Sequence, residues 1–282
     1  PVITGVVPAR ICSADSVIAV TGENFIDATR VSVGGTEATS TTLVSSGEIR
    51  ATLPPLPPGV YDVTVSNAEG CEATLPGALT VVENPIVFFV DPPVAYNGSD
   101  LQVTIFTSGV VGTVATVTIA PTGGGTPIDL LFTFDPSRPN RILATVLAGT
   151  PPGVYDVSVT TDLGCSATLV AGLTITDTTT LALEGVDPPF GWTGGTTAVS
   201  LTATDPAPAG MVQFAATPRA YLDPVGAGLA QPLRSVVFVD ATRLTAVVPD
   251  GLAEGTYDVI VVNPTAEVGV LGHSFGAVTA GV

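Results

Sequence analysis

The sequence reads as an all-β protein built from three tandem sandwich repeats, and three observations predict it. A stretch of turn followed by strand occurs three times: Pro57-Pro58-Gly59-Val60-Tyr61-Asp62-Val63-Thr64-Val65, Pro151-Pro152-Gly153-Val154-Tyr155-Asp156-Val157-Ser158-Val159 and Ala253-Glu254-Gly255-Thr256-Tyr257-Asp258-Val259-Ile260-Val261. The copies lie about 100 residues apart, which is the size of one small domain. Within each copy the apolar residues alternate with polar ones after a Pro/Gly turn, the period-two pattern of a half-buried strand. Finally, Gly (31) and Pro (25) are frequent and no window carries an apolar stripe at helical spacing, so many short strands joined by tight turns are expected.

The first repeat spans 1–84. Val2 to Val7 forms its opening strand and stops at Pro8; Val17-Ile18-Ala19-Val20 forms a second, followed by the turn Thr21-Gly22-Glu23-Asn24-Phe25. Arg30 to Val33 ends at Gly34-Gly35, Ile49 to Leu53 and Tyr61 to Ser66 follow, and Ala78 to Val82 closes the repeat. The second repeat spans 85–178 and is lengthened around the turn Thr122 to Pro127. The third spans 179–282, and its middle, Thr217 to Pro232, reads as irregular because Pro, Gly and Ala interrupt any alternation. The connections between repeats are short and carry no Gly/Ser tether, so a fairly stiff rod is expected.

In order, Pro8, Thr21-Gly22-Glu23-Asn24-Phe25, Val31-Ser32-Val33-Gly34-Gly35, Pro58-Gly59-Val60-Tyr61-Asp62-Val63-Thr64-Val65-Ser66-Asn67 and Ala78-Leu79-Thr80-Val81 resemble the IPT/TIG domain family. The resemblance covers all of the first repeat; the later two keep the Tyr strand and the final strands. It implies an immunoglobulin-like sandwich of about seven strands. The family occurs in cell-surface receptors, bacterial surface proteins, secreted carbohydrate-active enzymes and some transcription factors, so it implies a fold more than an activity.

Charge removes several of these settings. All eight basic residues are arginines, against 25 acids, for a net charge of −17. Neutralising nucleic-acid phosphates needs clustered positive charge, so nucleic acid is excluded as a partner, and an anionic membrane surface is disfavoured for the same reason. No apolar run reaches the ~18–20 residues that cross a bilayer, so membrane insertion is not expected. The chain begins at Pro1 without a signal peptide, which reads as a processed protein or a fragment. Mean hydropathy is +0.54 with only 12% charged residues, a surface poor enough in charge to suggest contact with other copies or with a matrix.

Candidate chemistry is sparse. Cys71 and Cys165 occupy the same Gly-Cys-x-Ala-Thr-Leu site in repeats one and two, and Cys12 is aligned with Ala95 and Gly191. A Cys12–Cys71 disulfide closing the first repeat is the first expectation, adding about 4 kcal/mol in an oxidising compartment. Cys165 is then left as a free thiol or a link to another chain. Three cysteines and one distant histidine make no metal site, and His273, the lone histidine, reads as a turn residue rather than a catalytic base. Catalytic, cofactor-binding and metal residues are therefore expected to be absent, with calcium at the joints (Glu83, Asp91, Asp177, Asp187) left open. Tyr61, Tyr155 and Tyr257 suit the tyrosine corner of sandwich domains, with Asp62, Asp156 and Asp258 outward beside them. Trp192 is a candidate contact aromatic, at a domain or subunit surface or as a sugar platform.

The expectation is thus a non-enzymatic, extracellular structural or adhesive protein of a bacterial cell surface, assembling with itself as the subunit of a filament. The alternative is a glycan- or protein-binding module of a larger secreted enzyme or surface receptor.

Overall fold

A computed structural model describes residues 1–279 apart from 15, 28 and 111. It contains strands and no helix among the described residues, in six sheets that form three immunoglobulin-like sandwiches. The first holds β1 (Val2–Val7), β2 (Arg10–Cys12), β3 (Ser16–Glu23), β4 (Arg30–Val33), β5 (Thr36–Glu37), β6 (Ser40–Ser45), β7 (Glu48–Leu53), β8 (Gly59–Ser66) and β9 (Glu72–Val82). The second holds β10 (Ile86–Asp91), β11 (Val94–Tyr96), β12 (Leu101–Ser108), β13 (Val114–Pro121), β14 (Ile128–Asp129), β15 (Leu131–Phe134), β16 (Arg141–Val146), β17 (Gly153–Thr161) and β18 (Ser166–Thr176). The third holds β19 (Leu183–Asp187), β20 (Phe190–Trp192), β21 (Thr197–Ala203), β22 (Arg219–Pro224), β23 (Gln231–Pro232), β24 (Arg234–Asp240), β25 (Arg243–Val248), β26 (Gly255–Val262) and β27 (Val268–Val278).

One wiring scheme serves all three. The sheet β1-β3-β7-β6 faces β2-β9-β8-β4-β5, and the same order returns as β10-β12-β16-β15 with β11-β18-β17-β13-β14 and as β19-β21-β25-β24 with β20-β27-β26-β22-β23. Each sandwich therefore has nine strands rather than about seven, the surplus being pieces of two or three residues such as β2 and β5. The opening strand leaves its sheet at Val7-Pro8, Asp91-Pro92 or Asp187-Pro188, each a cis peptide bond. Proline has no N–H to continue the ladder, so the chain crosses and resumes on the opposite sheet. There the second strand pairs in parallel with the last: β2 with β9, β11 with β18, β20 with β27.

The cores follow from alternation. In the first sandwich Ile18, Val20, Ile49, Ala51, Val63 and Val65 are buried between the sheets, while Thr64 and Ser66 face outward. Burying a Val, Ile or Leu side chain contributes about 1.5–3 kcal/mol, and such residues make up most of each core, Val and Ile leading in the first two and Leu in the third. The irregular stretch expected in the third repeat in fact contains β22 and β23. Alternation fails there because Ala220, Tyr221 and Leu222 are all buried: Ala220 and Leu222 enter the third core, whereas Tyr221 joins the cluster of the second sandwich.

Each recurring Tyr-Asp pair fastens two turns. The tyrosine hydroxyl donates to the carbonyl four residues back, Tyr61 to Pro57, Tyr155 to Pro151 and Tyr257 to Ala253, all at 2.8 Å. The aspartate that follows sits where the last strand bulges, since the register shifts between Tyr61 and Val63 and at both equivalents. Its Oδ1 accepts an amide from the bulge: Gly77 N to Asp62 (2.8 Å), Ala171 N to Asp156 (2.8 Å) and His273 N to Asp258 (2.6 Å). The amide donors have φ of 59°, 52° and 55°, a left-handed conformation that disfavours side chains with a Cβ. Asp156 also accepts from Thr122 Oγ1, and these two bonds hold its carboxyl below the ordinary range.

Two substitutions test this fastening by opposite signs. Ala171→Gly places at the second bulge the residue already present at Gly77, and is expected to raise stability by up to about 1 kcal/mol. Tyr155→Phe removes the corner hydrogen bond and is expected to cost about 1 kcal/mol. Thermal unfolding midpoints measured in parallel read both; midpoints moving in the same direction would contradict the assignment.

Candidate functional site

The candidate site geometry lies at the two joints between sandwiches. At the first, Cys12 is bonded to Cys165, with Cα atoms 5.4 Å apart, and not to Cys71. The expected closure of the first repeat fails for a reason of register. Cys12 on β2 pairs with Val82 at the far end of β9, whereas Cys71 precedes the start of β9. Some eleven residues of strand separate them, about 30 Å, far beyond disulfide reach. Cys165 occupies the matching hairpin of the second sandwich, and the tip of that hairpin, Leu163 and Gly164, lies against Pro8, Arg10 and Ile11. By the chain-entropy model a crosslink across 153 residues stabilises by about 5 kcal/mol. Cys71 is unpaired and exposed.

The parallel register also corrects the alignment of Cys12. Cys12 pairs with Val82, Tyr96 with Thr176 and Trp192 with Val278, so Tyr96 and Trp192 are its counterparts. Ala95 and Gly191 instead match Ile11, the buried position one residue earlier. Gly191 has no room for more, because a Cβ there would lie 2.5 Å from Thr197 Oγ1.

The second joint is made without a crosslink. Tyr221, Ile260, Val262 and Val268 of the third sandwich belong to the same buried cluster as the core of the second. β26 is consequently buried on both faces, with Val259 and Val261 in its own core and Ile260 and Val262 across the joint. Polar bonds align the two bodies: Ala230 N donates to Asp100 O (2.8 Å), Val268 N to Thr178 O (2.9 Å) and Thr176 Oγ1 to Ala266 O (3.0 Å). Arg219 forms an ion pair with Asp91 across the seam.

A cleft of about 630 Å³ opens beside that ion pair, walled by Asp91 and Gln102 from the second sandwich and by Arg219, Tyr221 and Gln231 from the third. Burial pushes the Tyr221 phenol well above its ordinary range, so its hydroxyl remains a hydrogen-bond donor. The Asp223 carboxyl, on the strand that carries Tyr221, is pushed up to about 6, by burial first and then by Asp258 and Asp100. Guanidinium, amides and phenol can together hold a polar ligand by hydrogen bonds. His273 lies on β27, exposed and outside the cleft, with Nδ1 3.8 Å from Asp258 Oδ1. The carboxylates proposed for calcium are not gathered. Asp91 is held by Arg219, and among the described residues no group of three or more His, Cys, Asp or Glu could hold a metal ion.

Trp192 stands on β20, 53% exposed, beside Phe190 at 56%. Sequence reasoning overlooked a second aromatic surface, on the outer face of the β10-β12-β16-β15 sheet. Phe89 stacks on Phe106 with centroids 4.3 Å apart, and the Arg141 guanidinium lies 5.6 Å from the Phe106 ring. Phe88 and Phe89 are 54% and 51% exposed, and their adjacency on one strand was the available signal, since a half-buried strand exposes only one of two neighbours.

Residues 1–82 match the family model of the IPT/TIG domain. No curated protein sequence matches the chain. Among solved structures, the full extracellular region of plexin A4 is similar at 15% identity and a TM-score of 0.39, over 92% of this chain and 22% of that one. A Bacteroides ovatus mixed-linkage glucan utilization locus protein, SGBP-B, in complex with a mixed-linkage heptasaccharide is similar at 17% identity and a TM-score of 0.26, over 96% and 65%. A 1.5-MDa bacterial ice-binding adhesin is similar at 15% identity and a TM-score of 0.28, over 98% and 97%. The chain thus spans about a fifth of the plexin chain.

Two measurements probe the joints. A carboxyl raised from 3.8 to about 6 contributes stability that is complete below 3.8 and lost as pH rises through 6. Asp223→Asn, which imitates the protonated acid, is expected to stabilise the protein at pH 7 by about 1–2 kcal/mol after solvent screening, and by nothing below pH 4. Unfolding midpoints across that range check it. Cys165→Ser is expected to free the first sandwich, broadening the particle dimensions seen by small-angle scattering; an unchanged curve would mean that non-covalent contacts hold the first joint unaided.

Proposed function

We propose that this chain, whose first 82 residues are an IPT/TIG domain, is a non-enzymatic structural or adhesive protein outside the cell, the self-assembling subunit of a surface filament. Its parts divide near 84/85 and 178/179, where β9 ends at Val82 and β18 ends at Thr176 before the next sandwich begins. The observation that carries the reading is that both joints are fastened. One is held by Cys12–Cys165, the other by a hydrophobic cluster shared between two sandwiches. A chain that only needed to tether its domains would gain nothing from either, whereas a strut that transmits force or holds a spacing depends on them. The disulfide also favours an oxidising, extracellular setting.

Assembly draws on the surface. Phe88 and Phe89 on the second sandwich, with Phe190 and Trp192 on the third, are large apolar groups left half exposed. Aromatic residues are enriched at protein contacts, where each covers a large area with few rotatable bonds. At a net charge of −17, copies repel one another over a range set by salt, so assembly is expected to strengthen as ionic strength rises.

A second reading, a glycan- or protein-binding module, is favoured by the cleft of about 630 Å³ at the second joint and its hydrogen-bonding walls. Negative-stain electron microscopy of native material, before and after dilution to sub-micromolar concentration, separates the two. Regular fibres that persist on dilution are expected, with Phe89→Asp abolishing or thinning them. Isolated three-beaded particles would overturn the filament, and a glycan screen comparing the native chain with Arg219→Ala would then test the cleft.

A further inference from the structure

The two joints bring together the same two parts of the sandwich. A hairpin between the last two strands of the following sandwich is set against the proline crossing and second strand of the preceding one. At the first joint Leu163, Gly164 and Cys165 meet Pro8, Arg10 and Cys12. At the second, Val262, Asn263 and Pro264 lie beside Pro92, Pro93 and Val94. The hairpins are closed alike: Thr161 N donates to Cys165 O (2.8 Å) and Asn263 N to Glu267 O (2.9 Å).

The first sandwich has the same hairpin, closed the same way, with Asn67 N donating to Cys71 O at 2.9 Å. Cys71 therefore stands where Cys165 stands, and its thiol is exposed. The hairpin used at both internal joints is thus presented a third time, carrying the residue that makes one of those joints covalent.

We propose that Cys71 forms a disulfide with a cysteine on the second strand of a further immunoglobulin-like sandwich, which docks on the Asn67–Cys71 hairpin as the first sandwich docks on the second. The three second strands of this chain offer Cys12, Tyr96 and Trp192 at that position, and Cys12 is already bonded to Cys165. The partner is accordingly a sandwich of other sequence and not a second copy of these three. Two thiols are oxidised in the reaction: they lose two protons and two electrons to a disulfide oxidant, R–S–S–R, which leaves as two R–SH while the new S–S bond forms. The inference is independent of the filament, since a binding module in a longer array would be joined in the same way.

Mass spectrometry of protein taken from its native source tests it. Thiols are blocked with N-ethylmaleimide at harvest and the protein is digested without reduction, the Cys12–Cys165 pair serving as the internal standard. The Cys71 peptide is expected in a disulfide with a peptide bearing a cysteine four residues after a proline, as Cys12 follows Pro8. Gel mobility with and without reductant tells whether that sandwich lies on the same polypeptide or another; either supports the proposal. Recovery of Cys71 as the maleimide adduct, as a mixed disulfide with a small thiol, or bonded to the Cys71 of a second copy would overturn it.

Discussion

Three short parallel ladders hold this molecule in its form. β2 on β9, β11 on β18 and β20 on β27 are each only three residues long, yet each determines where the chain lands after its proline crossing. Were the opening strand to run on in its first sheet, Cys12 and Val94 would lie on the opposite wall and neither joint could be made. The ladder sets the second strand against the final turn of the last strand, at the pole from which the next sandwich leaves. Joint geometry is thus a product of strand pairing inside each sandwich, and the linkers need only be short.

The two joints solve one packing problem in different chemistry. At the first, a covalent bond acts beside a strand that keeps its alternation, with Val157 and Val159 buried and Ser158 and Thr160 turned outward on β17. At the second, alternation is given up: Ile260 and Val262 replace polar residues on the outer face of β26 and are buried with Tyr221. Apolar burial is non-directional, so hydrogen bonds such as Ala230 N to Asp100 O supply the register that burial alone lacks. A polar cleft remains where the two bodies fail to close, beside the Arg219–Asp91 ion pair.

Much of this was legible in the residues, and the gaps have physical causes. The repeat, the strand character and the role of Tyr61, Tyr155 and Tyr257 in turns follow from local pattern, which one strand and its turn suffice to express. The uninterrupted apolar run Val259-Ile260-Val261-Val262, against Val63-Thr64-Val65-Ser66 in the first repeat, was the available signal for burial on both faces, and reading alternation in all three copies passed over it. The disulfide was misassigned because pairing of cysteines depends on which strand ends share a pole, a non-local fact that spacing does not encode. The one-residue slip that matched Cys12 to Ala95 instead of Tyr96 has the same origin, since a three-residue strand carries too little alternation to fix its own register. Asp62, Asp156 and Asp258 were read as outward, and their hydrogen bonds to the bulge could not be seen without knowing where the last strand bulges.

The placement of Cys71 and Cys12 has a consequence for biosynthesis. Both emerge well before Cys165, so the wrong partner is available to Cys12 during the time it takes to make another 94 residues. What protects the native pairing is the first sandwich itself: once β9 has paired with β2 and β8, the two thiols stand at opposite poles and cannot meet. Prompt folding of the leading domain therefore acts as the proofreader of the crosslink that follows, and a chain oxidised before that domain closes would lock its first joint open.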